Sequence, residues 1–537
     1  MSDTPEEKEP AITIEQISAA EALIDLNFTD EERAQMRQRL SEQVAMYSKL
    51  RDVALPNHVP PAQIFDPRPA GMALPTGPDM VGLSKTGEVQ RPDDLEDVAF
   101  WPVTKLARLI ESRQVSSLEL TEMYLARLKK YDPHLRCVVT LTEELARQQA
   151  AQADAEIAAG NYRGRLHGIP WGAKDLLAVK GYKTTWGAMP YKDQVINQNA
   201  TVVERLNAAG AVLVAKLTTG ALAYGDIWFD GKTKNPWDLE VGSSGSSAGP
   251  ASAVAAGLVG FAIGSETLGS IVSPSIRCGT TGLRPTFGTV SRAGGMALSW
   301  TQDKFGPICR TVEDCAIIFA AIHGTDGLDK SVVDVPFNYR PDIDLKSLRI
   351  GYVKAAYEDS AEPTAHDLAA LQFFRNAGFE LIPIELPDYP YDALVLNINV
   401  EAAAAFDELT RSNQDDLLKW QEDAAWPNSF RLARFIPAVE YVMANRIRSL
   451  VIEEMDQLMS DIDLFICTPY GANNLRLTNF SGHPCVVLPN GLDENGTPTN
   501  IGVTITGRLY DEGTILAFAR LYQEATGHHI YHPPMDY

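Results

Sequence analysis

The chain has 537 residues, of which 45% are hydrophobic and 22% are charged, and its formal net charge is −23 at pH 7. These values are ordinary for a globular protein with a large core, and so acidic a chain repels phosphate backbones and anionic lipids, which argues against nucleic acid or a membrane surface as a partner. The six cysteines show neither a C-x-x-C pair nor a zinc-ligand spacing, and the N-terminus lacks the features of a signal peptide, so we expect reduced thiols, a cytoplasmic protein, and neither a metal nor another cofactor.

Residues 1–95 predict an N-terminal arm of helical and extended structure. Residues 28–51, FTDEERAQMRQRLSEQVAMYSKLR, predict an amphipathic helix in which Thr29 is the N-cap and Glu32 completes a capping box. Its apolar stripe consists of Met36, Leu40, Val44 and Tyr47. The Pro- and Gly-rich residues 55–80 predict an extended connection. This pattern leaves open whether the arm packs on its own chain or on another protomer, and a homodimer is one arrangement that it allows.

Residues 96–537 predict one large α/β domain. SSLELTEMYLARLKKYD is typical of a helix, and AVLVA, SLRIGYV, DLFICTP, PCVVLPNG and TNIGVTITG are typical of strands. The last helix is expected to end at Gly527, a common C-cap residue. Strands that alternate with helices over such a length predict a mixed sheet covered by helices.

The stretch GSSGSSAGP, residues 242–250, is either a linker or a functional loop. Gly/Ser tracts are typical of flexible linkers, but this one continues into AVAAGLVGFAIG, which must be buried. A Gly/Ser loop beside a buried element can present amides and hydroxyls to a ligand. One interpretation is a nucleophile elbow, because residues 245–249 fit G-x-S-x-G with Ser247 as nucleophile. The preceding KTKNPWDLEVG does not predict the strand that an elbow requires.

The second interpretation is a resemblance to the amidase signature family. That family's pattern is roughly G-G-S-S-G-G-S, an Ala-rich segment, G-T-D-x-G-G-S-I-R-x-P and C-G-x-x-G-x-K-P-T. This chain reads GSSAGPASAVAAGLVGFAIGSETLGSIVSP and then CGTTGLRPTFG, with LHGIPWGAKD upstream and DKFGPICRTVEDCA and GHPCVVLPNG downstream. The similarity covers about residues 98–531. It implies the family's fold, a single large mixed β-sheet with helices on both faces, here with an N-terminal helical extension.

The resemblance implies a Ser–Ser–Lys triad without histidine. Lys174 matches the base, Ser246 the bridging serine that follows a cis peptide bond, and Ser270 the nucleophile. Because GSS occurs twice, Ser243 is the alternative to Ser246. Backbone N–H groups expected to form the oxyanion hole are those of Thr267, Leu268, Gly269 and Ser270. Residues expected to order the site are Asp175, Lys216, Asp303 and Arg310.

The residue types suit amide chemistry. An amide is a poor electrophile, so the attacking hydroxyl must lose its proton as it adds to the carbonyl. A lysine can take that proton only when it is neutral, which requires burial to lower its pKa from about 10.4. The apolar segment GIPWGAKDLL around Lys174 favours such burial, and Ser246 would relay protons to and from it.

The chain departs from the family pattern in the nucleophile segment. Leu268 and Val272 stand where the family has Gly and Arg, and Ser265-Glu266 stands where it has Thr-Asp. Leucine tolerates a positive φ poorly, so we expect a different oxyanion turn if the family's glycine needs one. Arg277 is a candidate for the positive charge that Val272 lacks.

The resemblance therefore implies an amidase that hydrolyses a linear, non-peptide amide of small or medium size through a Ser270 acyl-enzyme. Two alternatives stay open: a glutamine-hydrolysing subunit of a tRNA-dependent amidotransferase, and an inactive homologue that acts as a binding protein. The substrate pocket is expected to draw on residues 390–460. Aromatic candidates for an apolar acyl or aryl site there are Phe406, Trp420, Trp426, Phe430 and Phe435.

Overall fold

The computed structural model describes residues 12–358 and 363–537. Residues 1–11, which include the segment judged not to be a signal peptide, lie outside the described residues. The strands of the main sheet, numbered in chain order, are β1 Val138–Leu141, β2 Pro170–Lys174, β3 Val212–Leu217, β4 Phe261–Glu266, β5 Thr281–Arg284, β6 Lys304–Cys309, β7 Ile350–Val353, β8 Leu381–Ile384, β9 Leu464–Cys467, β10 Cys485–Pro489 and β11 Gly502–Gly507.

Helices surround this sheet. They are α1 Ile14–Glu21, α2 Asp30–Arg51, α3 Val103–Glu111, α4 Ser117–Leu135, α5 Glu143–Ala158, α6 Thr201–Ala208, α7 Ala248–Ala255, α8 Val272–Cys278, α9 Val312–Ile322, α10 Lys354–Tyr357, α11 Ala365–Asn376, α12 Tyr391–Leu394, α13 Leu396–Ala405, α14 Asp407–Arg411, α15 Trp426–Ala433, α16 Ala438–Asp461, α17 Asn474–Phe480 and α18 Glu512–Thr526. Within the described part of the chain, no helix is both long enough and apolar enough to cross a membrane.

The main sheet is mixed and has eleven strands in the order β8-β7-β9-β11-β10-β5-β6-β4-β2-β3-β1. Strand β2 runs parallel to both of its neighbours, β4 and β3, whereas β6 runs antiparallel to β4. Carboxyl ends of parallel strands meet at one edge of a sheet, which is where α/β proteins commonly bind ligands. Lys174 at the end of β2 and Glu266 at the end of β4 therefore share that edge.

Helices cover both faces of the sheet, as predicted. Successive side chains of a strand point to opposite faces. In β4, Phe261 and Ile263 belong to one hydrophobic cluster and Ala262 to another. Helices α9 and α18 contribute to the first cluster and α7 to the second. All six cysteines are buried and unpaired.

The apolar segment AVAAGLVGFAIG, which the sequence predicts to be buried, is divided between a helix and a strand. Residues 248–255 form α7, and β4 begins at Phe261. Gly257 between them has a φ of +64°, a left-handed conformation that ends the helix and that glycine adopts without strain. The small residues allow α7 to lie close to the sheet, as expected for a buried element beside the Gly/Ser loop.

The N-terminal arm is only partly packed. The capping box of Thr29 and Glu32 at the start of α2 is confirmed. Part of the apolar stripe is not covered by this chain, since Val44 is 53% and Tyr47 39% exposed. Further along the arm, Phe65 lies against the main domain, with its ring 5.0 Å from that of Phe287.

Candidate active site

A lysine at the carboxyl end of β2 is the centre of the site. Lys174 is fully buried, and its Nζ lies 2.8 Å from Ser246 Oγ and 2.8 Å from Ser265 Oγ. A third hydroxyl, Ser247 Oγ, lies 3.1 Å away. A neutral amine has two N–H groups and one lone pair, so three hydroxyl neighbours satisfy it when one of them donates. The arrangement can therefore hold an uncharged lysine that accepts a proton.

Burial sets the protonation of this lysine. It lowers the pKa of Lys174 well below the ordinary value, because the ammonium form loses its hydration; the charges of Asp303 and Glu266 act in the opposite direction. Lys174 has no ion pair with a carboxylate in residues 12–358 and 363–537. Lys216 differs, since its Nζ lies 2.7 Å from Asp175 Oδ1 and both side chains are fully buried. That contact fits the ordering role expected for these two residues.

The cis peptide bond expected from the resemblance lies between Gly245 and Ser246. The Ser246 hydroxyl lies 2.8 Å from Lys174 Nζ. Ser243, the alternative, donates from its backbone N–H to Thr233 O and from its hydroxyl to Ser244 O, and it makes no hydrogen bond to the lysine. The structure thus brings the second GSS copy, and not the first, to Lys174.

Ser247, the nucleophile of the elbow interpretation, is buried and its hydroxyl is engaged. Its Oγ accepts from the Ser265 N–H at 3.1 Å and donates to the Ser265 carbonyl at 3.1 Å. In the parts of the chain that the structure describes, no histidine contacts this hydroxyl by a hydrogen bond. The serine–histidine arrangement that the elbow requires is therefore not formed.

Ser270 lies in the turn that joins β4 to α8. Its carbonyl accepts a hydrogen bond from the Ser247 N–H at 3.2 Å, and the residue is 8% exposed. Its hydroxyl has no hydrogen-bond partner among residues 12–358 and 363–537. Nor do the backbone N–H groups of Leu268, Gly269 and Ser270 find an acceptor there. The turn can therefore offer several amide donors next to a free hydroxyl, which is what an oxyanion hole needs.

The substitution of glycine by Leu268 leaves this turn unstrained. The positive φ falls on Gly269, at +90°, and Leu268 does not have one. Thr267 is fixed by its side chain, whose Oγ1 donates to Asp303 Oδ1 at 2.6 Å. The expected clash of leucine with a left-handed backbone therefore does not arise.

The Glu266 side chain spans the turn that carries Ser270 by hydrogen bonds. Its Oε2 accepts from the N–H groups of Ile271 at 2.8 Å and Val272 at 2.9 Å, directly after Ser270. Its Oε1 accepts from Arg284 Nη1 at 3.0 Å. Burial alone would raise the pKa of Glu266, but chiefly the positive charge of Arg284 holds that pKa below its ordinary value. The Glu266 carboxylate thus connects the end of β4, the start of α8 and the buried Arg284 guanidinium.

The positive charge next to the turn comes from Arg284 and not from Arg277. The side chain of Arg277 forms no hydrogen bond or ion pair with residues 266–272, all of which the structure describes. Sequence reasoning missed Glu266, Arg284 and Ser265 as parts of the site. The Ser265-Glu266 departure from Thr-Asp was the available signal, because it marks a position where a carboxylate is still present.

Removing the Glu266 carboxylate is expected to destabilise the fold. In a Glu266→Gln variant the fully buried Arg284 loses its counter-ion. Leaving one member of a buried pair uncompensated costs about 3 kcal/mol or more, so the free energy of unfolding should fall by about that amount in a urea titration. Glu42→Gln, which removes an exposed partner of Arg39, is the matched control and should change it by less than about 0.5 kcal/mol. Equal stability of the two variants would contradict this role for Glu266.

Two other predicted ordering residues act through backbone segments. Asp303 Oδ2 accepts from the N–H groups of Leu298 at 2.8 Å and Ser299 at 3.0 Å, while its other oxygen holds Thr267. Arg310 donates from Nη1 to the carbonyl of Val254 near the end of α7, at 2.7 Å. Both side chains thus fix elements that carry the serines and do not contact Lys174 by a hydrogen bond.

A cavity of about 740 Å³ lies between the arm and the domain. Its walls include arm residues 50–58, Trp186 and Phe406. The backbone N–H of Trp186 donates to the carbonyl of Asp175, the residue after Lys174, at 3.1 Å. The cavity thus adjoins the lysine strand through Trp186, but Lys174, Ser246 and Ser270 do not line it. Of the other aromatic candidates, Trp426 and Phe430 are buried in the core, Trp420 is half-buried and Phe435 is 60% exposed.

The fold and the site together define a class of α/β protein in which a buried lysine, not a histidine, lies against serines at the carboxyl edge of a mixed sheet. The Amidase family model matches residues 119–516, and the chain belongs to this family, a family of carbon–nitrogen hydrolases.

Comparisons with individual proteins agree with this assignment. The chain is similar to a glutamyl-tRNA(Gln) amidotransferase subunit of Roseiflexus sp. (strain RS-1), with 33% identity over 79% of this chain and 96% of that protein. Among solved structures it is similar to the native peptide amidase from Stenotrophomonas maltophilia, with a TM-score of 0.70, 27% identity, and coverage of 80% of this chain and 98% of that one. A chain from a vestigial protein complex, described as revealing the evolutionary origins of an s-triazine catabolic enzyme, has a TM-score of 0.72, 27% identity, and coverage of 79% and 98%.

Proposed function

We propose that the chain hydrolyses the carbon–nitrogen bond of a small or medium-sized linear, non-peptide amide through an acyl-enzyme on Ser270. The observation that carries the proposal is the 2.8 Å contact between the fully buried Lys174 and Ser246. Burial lowers the pKa of that lysine and so favours the neutral form, which can act as the base that amide hydrolysis by a serine requires.

In the proposed mechanism, Ser270 Oγ attacks the amide carbonyl carbon and its proton passes to Ser246, whose own proton passes to Lys174. The oxyanion accepts hydrogen bonds from the turn that contains Leu268 and Gly269. Lys174 returns the proton through Ser246 to the leaving nitrogen, the carbon–nitrogen bond breaks and the amine departs. Water then attacks the acyl-enzyme with the same relay, which releases the acid and restores Ser270.

The cavity that adjoins the lysine strand through Trp186 supports the proposed small or medium size of the substrate, although no residue of the triad lines it. A volume of about 740 Å³ is within the range of small-molecule sites. Trp186 and Phe406 give it aromatic walls whose ring centroids lie 6.1 Å apart. An amide with an apolar acyl or aryl group fits such a site.

A second candidate is hydrolysis of glutamine, as part of an amidotransferase like the one to which the Roseiflexus relative belongs. The 33% identity to that relative favours it. The match leaves about a fifth of this chain without a counterpart in that relative, and the arm of this chain reaches the cavity. We therefore place the independent amidase first.

The deciding experiment measures ammonia release from aliphatic and aryl primary amides and from glutamine. We expect turnover of simple amides to exceed that of glutamine. Glutamine as the sole substrate would favour the second candidate. If the protein hydrolysed no amide or ester and a fluorophosphonate did not label it, the remaining hypothesis would be an inactive homologue that acts as a binding protein.

Two observations support our proposals for the cellular compartment and the oligomeric state of the enzyme. The six buried, unpaired cysteines fit a reducing cytoplasm. The exposed Val44 and Leu50 on α2 fit contact with a second copy, so we propose a homodimer. Sedimentation analysis tests it, and a monomer at micromolar concentration would exclude it.

A further inference from the structure

The arm is held on the main domain by an asparagine side chain. Asn57 Nδ2 donates to the carbonyl of Ala297 at 2.8 Å, and Asn57 Oδ1 accepts from the N–H of the same residue at 2.8 Å. A weaker contact runs from Nδ2 to the carbonyl of Ala405, at 3.5 Å. One amide group thus satisfies both backbone polar groups of Ala297, a two-point clamp that only an asparagine or glutamine side chain can provide without a charge.

Ala297 begins a loop, residues 297–303, whose last residue is hydrogen-bonded to the turn that carries Ser270. Within the 297–303 loop, the next two backbone N–H groups, of Leu298 and Ser299, donate to Asp303 Oδ2. The other oxygen of Asp303 accepts from Thr267 Oγ1 at 2.6 Å. Hydrogen bonds from Asn57 to Ala297 and from Asp303 to Leu298, Ser299 and Thr267, joined by the backbone of the loop, therefore connect the arm to the turn that carries Ser270.

The far half of the 297–303 loop is held by other elements. Glu401 on α13 accepts from Ser299 Oγ at 2.7 Å, and Arg448 on α16 donates to the carbonyl of Thr301 at 2.9 Å. No such side chain from the main domain holds the two backbone groups of Ala297 in the described ranges. Asn57 is thus the side chain that holds the Ala297 end of the loop.

We propose that Asn57 is a positioning residue of the active site, which acts through the 297–303 loop on the turn that carries Ser270. The proposal rests on the proposed amidase function. It makes the N-terminal arm a working part of the catalytic centre. It differs from a role as cavity wall, because a wall residue affects how tightly substrate binds, whereas a positioning residue affects the chemical step.

The test compares Asn57→Ala with Asn27→Ala, the same change at an exposed position of the same arm. In Asn57→Ala we expect kcat on the best amide to fall about tenfold, which corresponds to about 1.4 kcal/mol of barrier, with KM changed by less than about twofold. The rate at which a fluorophosphonate labels Ser270 should fall by the same factor. Asn27→Ala should match the wild type in all three measurements.

Two outcomes would overturn the proposal. One is an unchanged kcat and labelling rate in Asn57→Ala. The other is a raised KM with unchanged kcat, which would make Asn57 a wall of the cavity only. Asn57→Asp keeps the acceptor for the Ala297 N–H but sets a carboxylate oxygen against the Ala297 carbonyl, so its kcat should fall at least as far as that of the alanine variant. Thermal unfolding of each variant excludes a loss of fold, and a wild type that neither hydrolyses amides nor labels would overturn the proposed function instead.

Discussion

Replacement of Ser270 by alanine is expected to lower kcat for amide hydrolysis by at least about 10⁴-fold, since no acyl-enzyme can form without the nucleophile. The residual rate would come from binding and from the amides of the turn. Stability should change little, because the Ser270 hydroxyl has no hydrogen-bond partner in the described parts of the chain. The measurements are ammonia release under saturating amide and the urea unfolding curve.

The matched control is Ser243→Ala, which changes the serine of the first GSS copy. Ser243 lies in the same loop, but its N–H and its hydroxyl donate to backbone carbonyls and not to Lys174, so its variant should retain most of the activity. Peptide mapping after fluorophosphonate treatment adds a direct readout, with the label expected on Ser270. A label on Ser247, or full activity in Ser270→Ala, would contradict the assignment of the nucleophile.

The strands that could be predicted are those with long apolar runs. The segment DLFICTP becomes β9, and PCVVLPNG becomes β10. Strand β2 could not be predicted in this way, because it begins with Pro170 and contains Gly172, both of which weaken a strand pattern. The reason lies in tertiary contact, since a Cβ on Gly172 would lie 2.3 Å from the Leu217 side chain. Close packing against Leu217 therefore favours glycine at this position, and a single sequence does not show that neighbour.

Strand β6 illustrates the same limit. It lies in the middle of the sheet yet contains Gly306 and Pro307, a pair more typical of a turn. A Cβ on Gly306 would lie 2.1 Å from the carbonyl oxygen of Leu283, so the position requires glycine. The sequence pattern alone therefore favours a loop where close packing has produced a strand.

The residues of the candidate site also fall into those that the sequence predicts and those that it does not. Ordered motifs were enough to predict that Lys174 and Ser246 are neighbours. The partners of Glu266 could not be predicted, because Asn479, which donates to its Oε1 at 2.8 Å, lies 213 residues further along the chain. The contribution of the arm was equally hidden, since Asn57 and Ala297 are 240 residues apart and neither belongs to a motif. Local patterns identify the reacting groups, whereas the groups that position them depend on the folded chain.

Replacement of Lys174 by methionine, which has a similar length and no basic group, is expected to lower kcat/KM by about 10²- to 10⁴-fold, the usual contribution of a general base. The wild type should show a kcat/KM that rises with pH as the ammonium of Lys174 loses its proton and then reaches a plateau. Because burial holds the pKa of Lys174 well below its ordinary value, this rise should be complete below the range in which an exposed lysine titrates, about pH 10.4. In Lys174→Met the rise should disappear along with most of the activity.

The Asp303→Asn variant tests the direction in which a neighbouring charge shifts the pKa of Lys174. The negative charge of Asp303 favours the ammonium form of Lys174 and so raises its pKa against the effect of burial. Asp303→Asn removes that charge and keeps an oxygen for the N–H groups of Leu298 and Ser299, so the rise in kcat/KM should move to lower pH. A rise that stays in place, or that moves to higher pH, would show that another group controls the profile. A profile in the wild type that is flat from acid to alkaline pH would remove lysine as the base, because a buried amine cannot relay protons from Ser246 without changing its own charge.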